Sequence, residues 1–219
     1  MGADTDPDAI IRRKRELRST LRARRWQRYG GDSGSRRREQ EAGRLLEHAA
    51  PLVSRLEAQA ARGGAPLVAA YHPTPTEADV MPLVGALAAA GAELIFPAAA
   101  GRELEWVRWD GLSGFVDSPG RGFGKEPTGA RLGPDALAGA ALVLLPAVAV
   151  DRSGTRIGHG AGYYDRALTA VRVGTPVVAV VHPDELLEAG TLPRAAHDVP
   201  VPAVLTADGL VWLVTNDAS

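Results

Sequence analysis

An α/β fold is predicted, three-layered α/β/α, with a mostly parallel central sheet. Three observations predict it. Residues 66–97 run as an apolar strand, a helix and a second apolar strand, the rhythm of a β-α-β unit and so of a parallel pair. Residues 141–145 and 175–181 are short, dense apolar runs of the length and composition of buried strands. The two ends of the chain differ from this middle. The N-terminus reads as a basic amphipathic helix, and residues 203–214 read as a hairpin turning at Asp208-Gly209.

Composition narrows the class. A chain of 219 residues can bury a full core and is most simply one domain. Residues 1–9 are assigned to a disordered N-terminus and 10–215 to a single domain. A net charge of −1 argues against general nucleic-acid binding. The chain has no cysteine, which excludes disulfides and thiolate metal sites. No apolar run approaches the ~20 residues of a membrane span, and the charged N-terminus is unlike a signal peptide. A cytoplasmic monomer, bound to neither membrane nor nucleic acid, is the expectation. Of 25 basic residues only Lys14 and Lys125 are lysine. Against such a bias, a surviving lysine is either chance or a place where a compact ammonium is needed.

Taken in order, Asp6-Pro7 reads as an N-cap with proline at the first helical position, opening a helix to about Arg28. Its apolar stripe is Ile10, Leu17 and Leu21, and Lys14 falls inside that stripe with Arg18 at its edge. Lys14 therefore either snorkels past apolar neighbours or meets an anion. Residues 29–35, YGGDSGS, read as a loop, followed by a helix that Pro51 breaks or kinks. Arg36-Arg37-Arg38 reads as solvated surface. The first strand, ending at Tyr71, is followed by a loop to Glu77 and a helix over 78–90. Glu77 thus lies at the carboxyl end of a parallel strand, where ligands gather, or else serves the dipole of that helix. Residues 103–109 alternate as a strand with one face exposed. Residues 110–130 read as a long Gly- and Pro-rich loop carrying Lys125-Glu126-Pro127. Residues 134–137 suggest a helical turn, 184–188 a short helix, and 190–202 a loop carrying His197-Asp198.

The central stretch is 141–168. After its buried strand come a turn at Asp151, Ser153 and Gly154, then Arg156-Ile157-Gly158-His159-Gly160-Ala161-Gly162-Tyr163-Tyr164-Asp165, then a helix from near Gly162. Strand, Gly-rich loop and helix start make an anion site, because unpaired N–H groups face the ligand. The pattern alone equally describes a tight connection.

Four stretches together resemble the 5-formyltetrahydrofolate cyclo-ligase family, also called methenyltetrahydrofolate synthetases. Lys14 to Arg18 matches its K-x-x-x-R signature. Residues 71–79, ending Glu77-Ala78-Asp79, match a segment carrying a substrate-contacting glutamate. Gly124-Lys125-Glu126-Pro127 matches a segment ending in Glu-Pro. Residues 156–165 match R-L-G-x-G-x-G-Y-Y-D, the most specific of the four. The resemblance spans about 10–214. It departs at Ile157 for leucine, Ala147 for glycine, Val150 for phenylalanine and Pro202 for aspartate.

The resemblance implies a fold like that of sugar-phosphate isomerases. It also implies ATP- and Mg²⁺-dependent cyclisation of 5-formyltetrahydrofolate to 5,10-methenyltetrahydrofolate. Lys14, Arg156 and Tyr164 would be catalytic. Lys14, Arg18, Arg156 and the stretch Gly158, His159, Gly160, Ala161, Gly162, Tyr163 and Tyr164 would bind ATP. Glu77, Tyr71, Trp106, Glu126 and Tyr163 would bind the folate, and Asp165 and Asp198 the Mg²⁺. The alternative is a non-catalytic folate, nucleotide or sugar-phosphate binding protein on the same scaffold.

Overall fold

The computed structural model describes residues 7–118 and 124–213. Asp6, residues 1–5, part of the 110–130 stretch and residues 214–219 lie outside them. Three helices come first: α1 (Pro7–Tyr29), α2 (Gly31–His48) and α3 (Ala50–Ala60). α1 opens at Pro7, as the Asp6-Pro7 reading expected, so Pro7 to Ala9 of the segment assigned to disorder are helical. Between α1 and α2 only Gly30 intervenes, and the expected loop is instead the opening of α2. The glycines that suggested a loop allow a tight reversal. A Cβ on Gly34 would lie 2.2 Å from the carbonyl carbon of Tyr29, so only hydrogen fits where α2 starts against the end of α1. Pro51 separates α2 from α3 as expected, taking the first turn of α3, where it deprives the helix of no hydrogen bond.

The sheet follows: β1 (Leu67–Ala69), α4 (Met81–Ala89), β2 (Glu93–Ala100) and β3 (Glu103–Trp109). Helix α4 begins later than the sequence suggested. Pro82 takes its first turn, and the backbone N–H of Met81 donates to Asp79 Oδ1 at 3.1 Å. Within the stretch read as loop, β4 (Phe115–Asp117) and β5 (Lys125–Pro127) pair antiparallel. Then come β6 (Ala140–Pro146), β7 (Ala149–Asp151), β8 (Arg156–Ile157), α5 (Tyr163–Ala167), β9 (Val177–Val180), β10 (Leu186–Leu187), β11 (Ala203–Thr206) and β12 (Gly209–Trp212). Short 3₁₀ turns cover 134–139, 168–170 and 183–185. The last stands where a short helix over 184–188 was expected.

Seven strands form the main sheet in the order β12-β11-β9-β6-β1-β2-β3. The five from β11 to β2 are parallel, while β12 and β3 close the edges antiparallel. Adjacent residues of the inner strands bury opposite faces. Leu142 and Leu144 of β6 join Val178 and Val180 of β9 on one side, and Val143 and Leu145 join Val177 and Ala179 on the other. The first face is covered by Leu45 of α2, Leu52 and Leu56 of α3, and Leu83, Val84 and Leu87 of α4. The second is covered by Leu137 and Leu168 from 3₁₀ turns, with Tyr163, Tyr164 and Ala167 of α5 packed against them. The layer expected to be helical on that side is thus built from short turns and one five-residue helix. Val150, in place of the expected phenylalanine, is fully buried in this second cluster. Strand β1 connects outward to β2, whereas β6 lies on its other side and leads to β9. The order therefore reverses between β1 and β6, opening a crevice at their carboxyl ends.

Candidate active site

A cavity of about 430 Å³ occupies that crevice. Helix α1 supplies Lys14 and Arg18, the chain after β1 supplies Tyr71, His72, Thr74 and Glu77, and β6 ends on it at Pro146. Residues 156–165 line it continuously, with Lys125 from β5 and Asp198 from the late loop completing the wall. The stripe of α1 explains the first of these. Leu21 is buried and Leu17 packs against the same small cluster, so residues at the same helical angle face inward. Lys14 meets a carboxylate there, forming an ion pair with Asp198. Arg18 Nε donates to the carbonyl of Gly158 at 2.7 Å, joining α1 to the Gly-rich loop. Gly160 and Gly162 adopt φ of +104° and +68°, values that side chains disfavour. A Cβ on Gly160 would also lie 3.1 Å from Arg18 Cζ.

The buried Arg156 donates to Asp165 Oδ1 at 2.6 Å. Its pKa is lowered by burial, opposed by the charges of Asp165 and Asp198, and a guanidinium so placed remains cationic at neutral pH. Glu77 is buried opposite. His159 Nε2 lies 2.9 Å from its Oε1, and the Thr74 N–H donates to Oε2 at 2.8 Å. Burial favours the neutral acid, but the hydrogen bond and charge of His159, the charge of Arg25 and the Thr74 N–H outweigh it together. The carboxyl is held down to about 2. Glu77 is therefore an ionised acceptor at neutral pH.

The Tyr71 and Tyr164 hydroxyls, Arg156 Nε and His159 Nδ1 are buried without a hydrogen-bond partner, and all four residues line the cavity. Burial, with the negative charge of Glu77, raises the pKa of both tyrosines, so both hydroxyls stay protonated. Such a concentration of unpaired polar atoms marks a ligand site. Tyr163 differs, donating through its hydroxyl to Gly101 O at 2.9 Å.

Two residues expected at the site stand elsewhere. Trp106 is 0 % exposed, packed in the second face of the core. The resemblance placed it at the folate, but on the alternating β3 it shares the apolar face with Leu104, and Leu137 of the 3₁₀ turn at 134–139 packs in the same cluster. Glu126 does not line the cavity. It accepts from Ser118 Oγ at 2.8 Å and Arg131 at 3.2 Å, tying β5 to its surroundings. Arg38, expected on the solvated surface, turns inward and donates to the Glu77 carbonyl at 2.7 Å. Arg25 was not anticipated, yet it continues the inward stripe of Lys14, Leu17 and Leu21 at helical spacing.

Asp165 and Asp198 line one cavity, and each has a cation for a partner. Among the described residues no three His, Asp or Glu side chains gather as a metal cage. A donor set of one or two carboxylates suits Mg²⁺, which takes its remaining ligands from phosphate oxygens and water.

The family model of 5-formyltetrahydrofolate cyclo-ligases matches residues 10–207. The chain belongs to the 5-formyltetrahydrofolate cyclo-ligase family. A cyclo-ligase of Mycolicibacterium smegmatis is 36 % identical over 145 residues, 64 % of this chain and 72 % of that protein. A mitochondrial one of Arabidopsis thaliana is 35 % identical over 78 residues, 32 % of this chain and 28 % of that protein. The Aquifex aeolicus 5,10-methenyltetrahydrofolate synthetase superposes with a TM-score of 0.65 at 28 % identity, covering 94 % of this chain and 95 % of its own. The Mycoplasma pneumoniae synthetase, at 16 % identity, shares the fold with a TM-score of 0.62 over 89 % of this chain and 98 % of its own. The cyclo-ligase fold accordingly runs through nearly the whole chain. None of its described helices is long and apolar enough to cross a membrane.

Proposed function

We propose that the chain cyclises 5-formyltetrahydrofolate to 5,10-methenyltetrahydrofolate at the expense of ATP, releasing ADP and phosphate. One observation carries this reading. Phosphate-binding cations and an ionised acceptor for N–H donors meet in one cavity at the switch point of a parallel sheet. Lys14, Arg18 and Arg156 would face the phosphates, with backbone N–H groups of 158–162. Tyr163 and Tyr164 would border the nucleotide or the pterin. Glu77, fixed as a carboxylate, would accept from pterin N–H groups rather than act as a base, and Tyr71 would donate to the same ligand.

The formyl oxygen attacks the γ-phosphorus, and ADP leaves. The folate N10 then attacks the carbon of the resulting iminium phosphate and loses its proton, and phosphate departs to leave the methenyl bridge. Such chemistry asks for alignment and charge neutralisation more than for a nucleophile, which a cavity rich in guanidinium and ammonium groups provides. Asp165 and Asp198 would hold Mg²⁺, which neutralises and aligns the phosphates when bound, while Arg156 and Lys14 turn from these carboxylates to phosphate oxygens.

The test is turnover of the purified protein. Loss of 5-formyltetrahydrofolate with growth of the near-ultraviolet absorbance of the methenyl product is expected only with both ATP and Mg²⁺. Tight calorimetric binding of a sugar phosphate, with no ATP-dependent turnover, would overturn the reading.

A further inference from the structure

Arg25 is 5 % exposed, a guanidinium buried behind Glu77 and outside the cavity lining. Its Nε donates to Glu185 Oε1 at 2.5 Å and one terminal nitrogen to Oε2 at 2.8 Å, a bidentate pair. That nitrogen also donates to the carbonyl of Ala147 at 2.6 Å, just beyond β6. The other terminal nitrogen lies 3.8 Å from Glu77 Oε1. One side chain of α1 thus touches the chain after β1, the end of β6 and the turn at 183–185. A stability role would be served by Glu185 alone. The approach to Glu77, an ionised carboxylate otherwise held by His159 and Thr74, calls for a further account.

We propose that Arg25 is a positioning residue for Glu77, fixing the carboxylate as an anion against the cavity wall in the place where it receives the substrate's N–H donors. The proposal rests on the folate reading of the site. The arrangement suits a guanidinium and not an ammonium, because one planar fork donates to both Glu185 oxygens and to the carbonyls of Ala147 and Val148 while its remaining nitrogen faces Glu77. The other charged or titratable groups around Glu77 are His159 on the Gly-rich loop, Arg38 on α2, and Tyr71, Tyr164, His72 and Asp79. Of these only His159 reaches the carboxylate itself, with Nε2 2.9 Å from Oε1, so Arg25 is the permanent cation beside it. Arg38 binds the Glu77 backbone carbonyl.

Three variants test the proposal: Arg25→Gln, Arg25→Lys and Glu185→Gln. Two measurements are made on each. The first is the pH dependence of kcat/KM for 5-formyltetrahydrofolate. The second is the ¹³C carboxyl titration of Glu77 in the ligand-free protein, which depends on no assumption about substrate. Arg25→Gln is expected to raise the folate KM roughly tenfold and move the Glu77 titration up by about one pH unit or more, with the ATP KM changed much less. Arg25→Lys should restore part of both effects. Glu185→Gln should lower the melting temperature comparably, without moving the Glu77 titration upward, since the cation beside Glu77 remains. An unmoved Glu77 titration in both Arg25 variants overturns the proposal, as does an upward shift of equal size in Glu185→Gln. If Arg25→Gln does not fold, Arg25→Lys carries the test against Glu185→Gln. Absence of wild-type turnover strikes the folate reading and leaves the carboxyl titration to decide the role of Arg25.

Discussion

At the scale of single residues, the proposed activity rests on charge placement. Lys14 and Asp165 each contribute one charge to the cavity, and each would act on phosphate or metal as negative charge redistributes. Lys14→Ala and Asp165→Ala are expected to lower kcat by about 10²-fold or more, measured as methenyl formation under saturating ATP and Mg²⁺. Rates near wild type in either variant would contradict the assigned roles. Glu77 gives a different prediction. Its pKa is depressed to about 2 in the fold and lies near 4.3 in an unfolded chain. Ionised Glu77 therefore adds stability above pH 4.5, on the order of 3 kcal/mol. That contribution is lost as pH falls toward 2. Acid unfolding of Glu77→Gln, followed by circular dichroism, should show a shallower fall in stability between about pH 5 and 3 than the wild type.

Residues also show where the sequence was readable. Lys14 was legible because a helical stripe assigns an angle to each position, and a charge at an apolar angle stands out. Arg25 sits at the same angle but could not be interpreted. Its partners Ala147 and Glu185 lie 122 and 160 residues away, so only the folded chain brings them together. Trp106 and Glu126 were expected at the site through the resemblance alone, and neither lines the cavity. Alternation fixes which face of a strand a residue occupies, but not what covers that face.

Elements that obey a local rule emerged from the sequence almost intact. α1 follows its 3.6-residue stripe, β6 and β9 their apolar runs, and β11 and β12 their Asp-Gly turn. Elements whose rule is tertiary did not. The stretch YGGDSGS has loop composition, yet most of it is helix because Gly34 admits Tyr29 at a distance no side chain tolerates. Gly34→Ala tests this directly. With a Cβ 2.2 to 2.6 Å from Tyr29 backbone atoms, overpacking should cost ~3 kcal/mol or more, seen as a lowered denaturation midpoint. Gly43→Ala on the same helix, where a Cβ meets nothing within 4 Å, should be neutral or slightly stabilising. The hairpin of β4 and β5 was hidden by its own brevity, since three-residue strands carry too little alternation to register.

At the scale of the whole molecule, the strand order concentrates function. The reversal between β1 and β6 collects the ends of both strands, and α1 closes over them with Lys14, Arg18 and Arg25 on one side. The sequence implied a parallel sheet through its β-α-β rhythm, but not the position of the reversal, because strand order is set by non-local pairing. Nor did it show that one face of the sheet is covered by full helices and the other by short turns. The turn-covered face leaves room for the Gly-rich loop to run from β8 into α5 along the cavity, where a long helix would have filled the space.

The ion pairs within the cavity have a consequence for selectivity. Lys14 and Arg156 rest on Asp198 and Asp165, so the cavity carries its own counter-ions. A small anion gains little by entering, because it must displace a tethered carboxylate and leave that carboxylate unpaired. On the proposed reading, a phosphate chain arriving with a divalent cation would escape this cost, since the displaced carboxylates would have the metal to bind. The site would thereby discriminate between free phosphate and metal-complexed nucleotide through exchange of partners. Asp198→Asn removes one tethered anion and should make inorganic phosphate a several-fold stronger competitor against ATP. Calorimetric competition titrations would show this independently of turnover, and an unchanged phosphate affinity would argue against it.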